Sequence, residues 1–170
     1  MSSEVPKCGI DLIKRFEGYA EKLPDGRARA YPDPISGWRV PTIGYGTTRY
    51  SDGRQVQQGD IVTEPEAEEH LTWEIERICR TELEKIPTWS RMNDHQRGAL
   101  YSFGYNLGAK FYRAQNFQSI TRVCDSTELW QNKDWVTAQF VKYCNPGTPA
   151  EPGLRRRREA EAELFCLPTA

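Results

Sequence analysis

Apolar residues recur at helical spacing near the start of the chain. Ile10, Ile13 and Glu17 fall on one face of a helix predicted over residues 9–17. Gly18 follows, where a helix end favours a residue that can adopt positive φ. The pattern therefore predicts that Glu17 lies in the last turn on the apolar face. Burial and the negative helix end would both favour a protonated carboxyl there.

A β-rich pattern follows a segment that is rich in turns. The turn-rich segment contains Asp25-Gly26 and several prolines. Residues 40–45 alternate as a strand does, which places Thr42 on the face opposite its apolar neighbours. Residues 50–56 contain a second turn and a further predicted strand. These features predict a small antiparallel sheet of two or three strands.

Residues 63–85 are predicted to form one long helix. Thr63 and Glu66 have the spacing of a capping box, and the helical pattern ends before Pro87. The predicted apolar stripe consists of Ala67, Leu71, Ile75, Ile78 and Leu83. A helix of this length can connect a sheet lobe to a helical lobe.

Shorter helices follow in the second half of the chain. Asn93 and Gln96 repeat the capping-box spacing, and Asp134 is predicted to cap a helix over residues 135–143. Residues 144–153 are rich in proline and glycine and are predicted to form a loop. Two further helices are predicted, at residues 116–124 and from residue 154 onward.

Composition and charge narrow the classes of protein to consider. The 170 residues suffice for one domain with a real core, and the formal net charge is −1. That charge favours neither nucleic acid nor an anionic membrane as a partner. No apolar run approaches the roughly 20 residues of a membrane span, and no basic leader precedes an apolar core. We therefore expect a chain that is cytoplasmic at synthesis, without a secretory signal.

The cysteines and histidines give little indication of metal or thiol chemistry. Neither His70 nor His95 belongs to a Cys/His cluster, so we expect no metal and no other cofactor. Free thiols are the preferred interpretation, although a Cys124–Cys144 bridge and a cysteine nucleophile stay open. The cysteines are Cys8, Cys79, Cys124, Cys144 and Cys166.

Two carboxylates and one hydroxyl form the candidate chemical site. Glu17 ends a helix, Asp33 lies between two prolines that restrict its backbone, and Thr42 lies in a strand-like run. Taken alone, Glu17 is more simply interpreted as an exposed helix-end glutamate, and an ordinary turn residue is at least as good an interpretation of Asp33. A protonated acid and an ionised carboxylate are together the groups that glycosidic bond cleavage requires.

Six motifs in order make the chain resemble the phage-type lysozymes, a family of small endolysins that cleave peptidoglycan. The resemblance covers most of the chain. Its motifs are RFEG around Glu17, Tyr31-x-Asp33, TIGYGTT from Thr42, GDIVTEPEAEEHL, MNDHQRGALYSFGYNLG and PGLRRRREAEAELF.

The resemblance implies an α+β, lysozyme-like fold of a single domain with two lobes. We expect a small antiparallel sheet lobe over about residues 10–62 and a linking helix over about residues 63–85. A mainly helical lobe would follow over about residues 86–170, with the N-terminal helix packed on it and a cleft between the lobes.

The resemblance also implies a catalytic trio of Glu17, Asp33 and Thr42. The segments that separate these residues are longer than the family's usual spacing, so Asp25 is a rival for the second carboxylate. Asp33 is preferred because it follows Tyr31 and precedes the TIGYG run.

Substrate-binding positions carry over from the same motifs. They are Thr48, Tyr105, Asn106 and Arg156. Arg156 would face the catalytic glutamate, and Arg157 is nearly as good a candidate. For Tyr105, a purely structural role in the core is an equally good interpretation.

The implied activity is hydrolysis of the β-1,4 bond between N-acetylmuramic acid and N-acetylglucosamine, with inversion. The expected partner is the glycan strand of peptidoglycan, met after release by a monomer that binds neither nucleic acid nor membranes stably. A non-catalytic wall- or chitin-binding module is the main alternative. An amidase, a peptidase and a transglycosylase are further alternatives.

Overall fold

The computed structural model describes residues 5–169. The described helices are α1 (Lys7–Glu17), α2 (Glu64–Leu83), α3 (Asp94–Leu107), α4 (Gln118–Asp125), α5 (Lys133–Phe140) and α6 (Glu151–Phe165). The described strands are β1 (Ala28–Arg29), β2 (Tyr31–Asp33), β3 (Gly37–Thr42) and β4 (Ile61–Val62). Short 3-10 segments occur at Trp89–Arg91, Gln115–Phe117 and Thr127–Leu129. Helices combined with a little antiparallel sheet confirm the predicted α+β class.

The strands pair as two short antiparallel sheets, β1 with β4 and β2 with β3. β3 ends at Thr42, so the strand predicted at residues 40–45 is displaced toward the N-terminus. The chain turns after Thr42 because Gly44 and Gly46 adopt positive φ angles of 62° and 90°. Ile43 and Tyr45 lie beyond the end of β3, so the alternation predicted for residues 40–45 does not extend past Thr42.

The strand predicted within residues 50–56 is also wrong. The structure has only an isolated antiparallel bridge there, between Arg49 and Gln55. A turn joins the two sides of this bridge, and Gly53 lies in it with φ 93°. The pairing stops after one residue pair, so no named strand forms.

Both predicted capping boxes are confirmed. The Thr63 hydroxyl accepts a hydrogen bond from the Glu66 N–H at 3.2 Å, and the Glu66 carboxylate accepts one from the Thr63 N–H at 2.9 Å. Asn93 and Gln96 exchange the same pair of bonds at the start of α3. These boxes satisfy N–H groups that have no partner within the helix.

Three details of the helices differ from prediction. Asn132, and not Asp134, caps α5 by accepting from the Trp135 N–H at 3.1 Å. α6 begins at Glu151, within the predicted loop, because Pro152 is tolerated in a first turn. Ile78 is exposed, and the α2 stripe passes instead through the buried Cys79.

The described residues divide into two compact units. The sheet unit spans residues 13–75, and the helical unit comprises residues 5–12 and 76–169. The core of the sheet unit includes Ile13, Ala28, Ile43, Tyr45, Val56, Val62, Ala67, Leu71 and Ile75. Glu17, Asp33, Thr42 and Thr48 therefore belong to one unit, whereas Tyr105, Asn106 and Arg156 belong to the other.

An aromatic cluster forms the centre of the helical unit. The fully buried Phe103 ring of α3 meets four other rings edge to face, with centroid distances of 4.9 to 6.1 Å. Those rings belong to Phe111, Phe117, Phe140 and Tyr143. Edge-to-face packing of this kind adds to the stability that burial alone provides.

All five cysteines have free thiols, so the Cys124–Cys144 bridge is not formed. Burial raises the pKa of the Cys79 thiol to about 12, which makes it a poor nucleophile at neutral pH. Among residues 5–169, no helix is both long and apolar enough to cross a membrane.

Candidate active site

Glu17 is the last residue of α1. The N–H of Gly18 donates to the Lys14 carbonyl at 3.0 Å, and Gly18 has the predicted positive φ of 79°. The Glu17 side chain is exposed, so the prediction that it is buried on the apolar face is wrong. A Cβ at Gly18 would meet no atom within 4 Å, which indicates that this helix end lies in open space.

Lys14, three residues before Glu17, anchors α1 to α2. Its ammonium group contacts the carboxylates of Glu64 at 2.8 Å and Glu68 at 2.6 Å. The Tyr45 hydroxyl donates to the same Glu64 carboxylate at 2.6 Å. Burial lowers the pKa of Lys14, but the bonds to Glu64 and Glu68 outweigh it and raise the pKa overall. The last turn of α1 is therefore held to the first turns of α2.

Asp33 ends β2 and is half-buried. Its Oδ1 atom accepts hydrogen bonds from the N–H groups of Ser36 at 2.7 Å and Ile35 at 2.9 Å. These bonds, that from Ser36 first, lower the pKa of the Asp33 carboxyl below its ordinary value. Asp33 is consequently ionised at neutral pH.

Asp25, the rival carboxylate, has different partners. It accepts from the N–H of Arg27 at 3.0 Å and from the Arg27 Nε at 2.7 Å, within one exposed turn. The backbone bond and the guanidinium lower the pKa of Asp25. This carboxylate therefore stabilises a local turn.

Thr42 ends β3 opposite Tyr31 of β2. Directly paired residues of antiparallel strands project from the same face of a sheet, so these two side chains share a face. The buried Thr42 hydroxyl donates to the Val40 carbonyl at 3.0 Å. Its oxygen keeps lone pairs that can accept a hydrogen bond from water.

Tyr31 relates the two candidate carboxylates to each other. Burial raises the pKa of its phenol, and the charges of Asp33 and Glu17, followed by Glu21, raise it further. Glu17 and Asp33 thus lie within electrostatic range of the same hydroxyl group. In the sequence, Tyr31 is a residue of the Tyr31-x-Asp33 motif, and its spacing of two residues from Asp33 on a strand is the signal of this role.

The other predicted site residues are spread over both units. Thr48 is exposed, and its carbonyl accepts from the Val56 N–H at 3.1 Å. Tyr105 and Asn106 lie half-buried near the end of α3, and Arg156 is exposed on α6. Their contact with substrate stays a prediction.

Two arginines beside Arg156 are buried inside the helical unit. Arg158 contacts Glu161 at 2.7 Å and also donates to the Asn106 Oδ1 at 2.8 Å. Arg157 donates to the Ser102 hydroxyl at 3.3 Å, and that hydroxyl donates to Glu161 at 2.6 Å. The network fixes one side of the Asn106 amide and leaves its NH₂ group able to donate elsewhere.

Comparison with known proteins identifies the family. A sequence model described as Phage lysozyme matches residues 14–161, so the chain belongs to the phage lysozyme family. Family membership supports a glycosidase of the lysozyme type.

Similar proteins include several endolysins. The endolysin of Acyrthosiphon pisum secondary endosymbiont phage 1 is 27% identical over 168 residues, which is 95% of this chain and 97% of that protein. The endolysin of Bacillus phage B103 is 28% identical over 95% of this chain, but the match spans only 53% of that longer protein.

Solved structures share the fold. A P22 lysozyme mutant superposes with a TM-score of 0.69 at 23% identity and covers 97% of this chain and 99% of its own. The endolysin from Escherichia coli O157:H7 phage FAHEc1 gives a TM-score of 0.62 at 25% identity, over 97% and 94% of the two chains. These likenesses confirm the predicted lysozyme-like α+β fold.

Proposed function

We propose that this chain hydrolyses the β-1,4 bond between N-acetylmuramic acid and N-acetylglucosamine in peptidoglycan, as a monomer that reaches the wall after release. Family membership supports the class of reaction. The observation that carries the proposed site is Tyr31, which pairs with Thr42 across β2 and β3 and whose phenol pKa is raised by burial first and then by the charges of Asp33 and Glu17. Two carboxylates with different environments therefore share one neighbourhood in the sheet unit.

Glu17 acts as the general acid and protonates the leaving oxygen. Its exposed position at the end of α1 leaves the carboxyl accessible to a large substrate. A sugar bound over Glu17 excludes water from the carboxyl, so the proton passes directly from Glu17 to the leaving oxygen.

Asp33 and Thr42 act on the other side of the reacting carbon. The backbone donors that keep Asp33 ionised allow it to offset the positive charge of an oxocarbenium-like transition state. Thr42 accepts a hydrogen bond from the attacking water, since its own proton is donated to the Val40 carbonyl. A water held between these groups gives a proton to the Asp33 carboxylate and attacks the face opposite the leaving group, which gives inversion. Inverting glycosidases place their carboxyls roughly 6.5–9.5 Å apart to admit that water.

The remaining predicted residues bind the glycan strand in this proposal. Asn106 donates from its NH₂ group to an acetamide carbonyl, while Arg158 holds its Oδ1. Tyr105, Thr48 and Arg156 also contact the strand.

Product analysis on purified peptidoglycan tests the function. We expect new reducing ends on N-acetylmuramic acid, and proton NMR of the earliest product should show the α anomer. Anhydro-muramic ends would indicate a transglycosylase, and free peptides without reducing ends would indicate an amidase. Binding without any product would favour the non-catalytic module, and a β anomer would exclude inversion.

A further inference from the structure

A pocket outside the proposed trio lies within the sheet unit. Its volume is about 400 Å³, which falls within the range of roughly 300–1,000 Å³ typical of small-ligand sites. Its walls include Glu21, Arg29, Tyr31, Pro32, Trp38 and Gln58. Tyr31 belongs to this wall and pairs with Thr42 across β2 and β3, so the pocket adjoins the proposed site within the sheet unit.

The pocket combines a flat apolar surface with polar groups. Trp38 of β3 is 42% exposed, although large aromatic side chains gain stability from burial. Arg29 and Glu21 provide opposite charges, with the Arg29 Nη2 atom 3.7 Å from the Glu21 Oε2 atom, and both side chains are more than half exposed. Gln58 adds an amide that can both donate and accept.

This combination fits a sugar ring better than other common ligands. A pyranose ring has an apolar C–H face that can stack on an indole, and its hydroxyl and acetamide groups form hydrogen bonds at the ring edge. The nearby carboxylate of Glu21 offsets the charge of Arg29, so the pocket has no excess of positive charge for a phosphate. The polar side chains make the pocket unsuited to a lipid tail.

We propose that this pocket, bounded by Trp38, Arg29 and Gln58, is a subsite for one N-acetylhexosamine ring of the glycan strand. The inference rests on the proposed function, because the glycan strand that is cleaved at the proposed trio would also extend into this pocket. Trp38 stacks on the ring, Gln58 and Arg29 donate to its acetamide and hydroxyl oxygens, and Glu21 accepts from a hydroxyl. The subsite adds affinity for longer glycans and does not take part in bond cleavage.

Binding measurements on an inactive protein test the subsite. The probe is a hexamer of N-acetylglucosamine, titrated calorimetrically into Glu17→Gln, which is expected not to cleave it. Adding Trp38→Ala should weaken binding by about tenfold, and Trp38→Phe should restore part of the loss. Ile61→Ala is the matched control, because Ile61 is also an exposed apolar strand residue of the sheet unit and does not line the pocket. This variant should bind like the parent.

A second variant and a kinetic measurement keep the test decisive. Gln58→Ala should also weaken hexamer binding. This variant provides the test if Trp38→Ala shows no thermal unfolding transition and is therefore not folded. In the active protein, Trp38→Ala should raise KM about tenfold and leave kcat within about twofold. Undiminished hexamer affinity in the folded Trp38 and Gln58 variants would overturn the subsite.

Other outcomes separate the subsite from the proposed function. If Glu17→Gln fails to bind the hexamer but the unmodified chain still releases reducing ends from peptidoglycan, the subsite is excluded and the function stands. If a free stem peptide without sugar binds in the pocket and the hexamer does not, the saccharide assignment is overturned.

Discussion

Glu17 and Asp33 differ most in the groups that surround their carboxyls. Asp33 accepts two backbone N–H bonds, which lower its pKa, whereas Glu17 is exposed at a helix end. The sequence could place Asp33 in a restricted turn, because prolines flank it. It could not show that Glu17 is exposed, because helical periodicity gives the face of a residue but not whether another element covers that face.

Asp33→Asn should lower the rate of reducing-end release by about 100-fold or more, because a neutral amide cannot offset the developing positive charge. Asp25→Asn is the matched control, since it also removes a turn carboxylate whose pKa is lowered. Its rate should stay within about twofold of the unmodified chain. The reverse result would move the second carboxylate to Asp25.

The pH dependence of the rate follows from the pKa of Asp33. Its hydrogen bonds favour the ionised form, so Asp33 stays charged as pH falls past the ordinary aspartate value of about 3.9. The acid limb of kcat/KM that reports Asp33 in the free protein should therefore lie below that pH, provided that the fold persists. An Asp33-dependent limb above pH 5 would contradict this assignment.

Thr42→Ala should lose rate but retain binding, because only the attacking water loses its partner. Thr42→Ser keeps the hydroxyl and should recover most of the rate. The measurements are kcat for hydrolysis and hexamer affinity in the Glu17→Gln background. An alanine variant that keeps the unmodified rate would exclude Thr42 from the reaction.

At the scale of elements, the sequence predicted the helix starts that have a capping box and missed the helix start that has no side-chain cap. The boxes at Thr63 and Asn93 are local patterns, and both formed as expected. α6 begins after Ala150, which makes no side-chain capping bond, so no local pattern marked its start. The missing strand after Arg49 has a similar cause, since strand length depends on partners that are distant in sequence.

Lys14→Met tests whether the anchor of α1 supports the fold. The change leaves Glu64 and Glu68 without their shared cation and should lower the free energy of unfolding by about 1–2 kcal/mol. Lys7→Met is the control, because the Lys7–Asp11 pair is more exposed and should contribute less than about 0.5 kcal/mol.

The raised pKa of Lys14 determines how its contribution to stability depends on pH. The contribution is complete below the pKa of an unfolded lysine, about 10.4, and is lost only as pH rises through the higher pKa of Lys14 in the folded protein. Urea unfolding at pH 7 and pH 9 should therefore give the same difference between Lys14→Met and the unmodified chain. A difference already lost at pH 9 would contradict the account.

At the scale of the whole molecule, each unit has its own core and its own polar anchor. The sheet unit depends on Lys14, and the helical unit depends on the buried group of Arg157, Arg158 and Glu161. Four consecutive arginines imply that at least one points inward, but only packing decides which. Two of them, Arg157 and Arg158, are buried.

Glu161→Gln should destabilise the protein by about 3–5 kcal/mol, since it leaves two buried guanidinium groups without their carboxylate. Glu163→Gln, an exposed change on the same helix, should alter stability by less than about 0.5 kcal/mol. Urea unfolding of both variants measures the difference. Equal midpoints would show that the buried network does not stabilise the fold.

The most direct test of the central claim is the release of reducing ends from purified peptidoglycan by Glu17→Gln. We expect a rate about 1,000-fold below that of the unmodified chain, with an unchanged unfolding midpoint, because glutamine cannot donate the required proton. Asp11→Asn, another exposed carboxylate of α1, should retain the full rate. A Glu17→Gln protein that releases reducing ends at the unmodified rate would contradict the proposed mechanism.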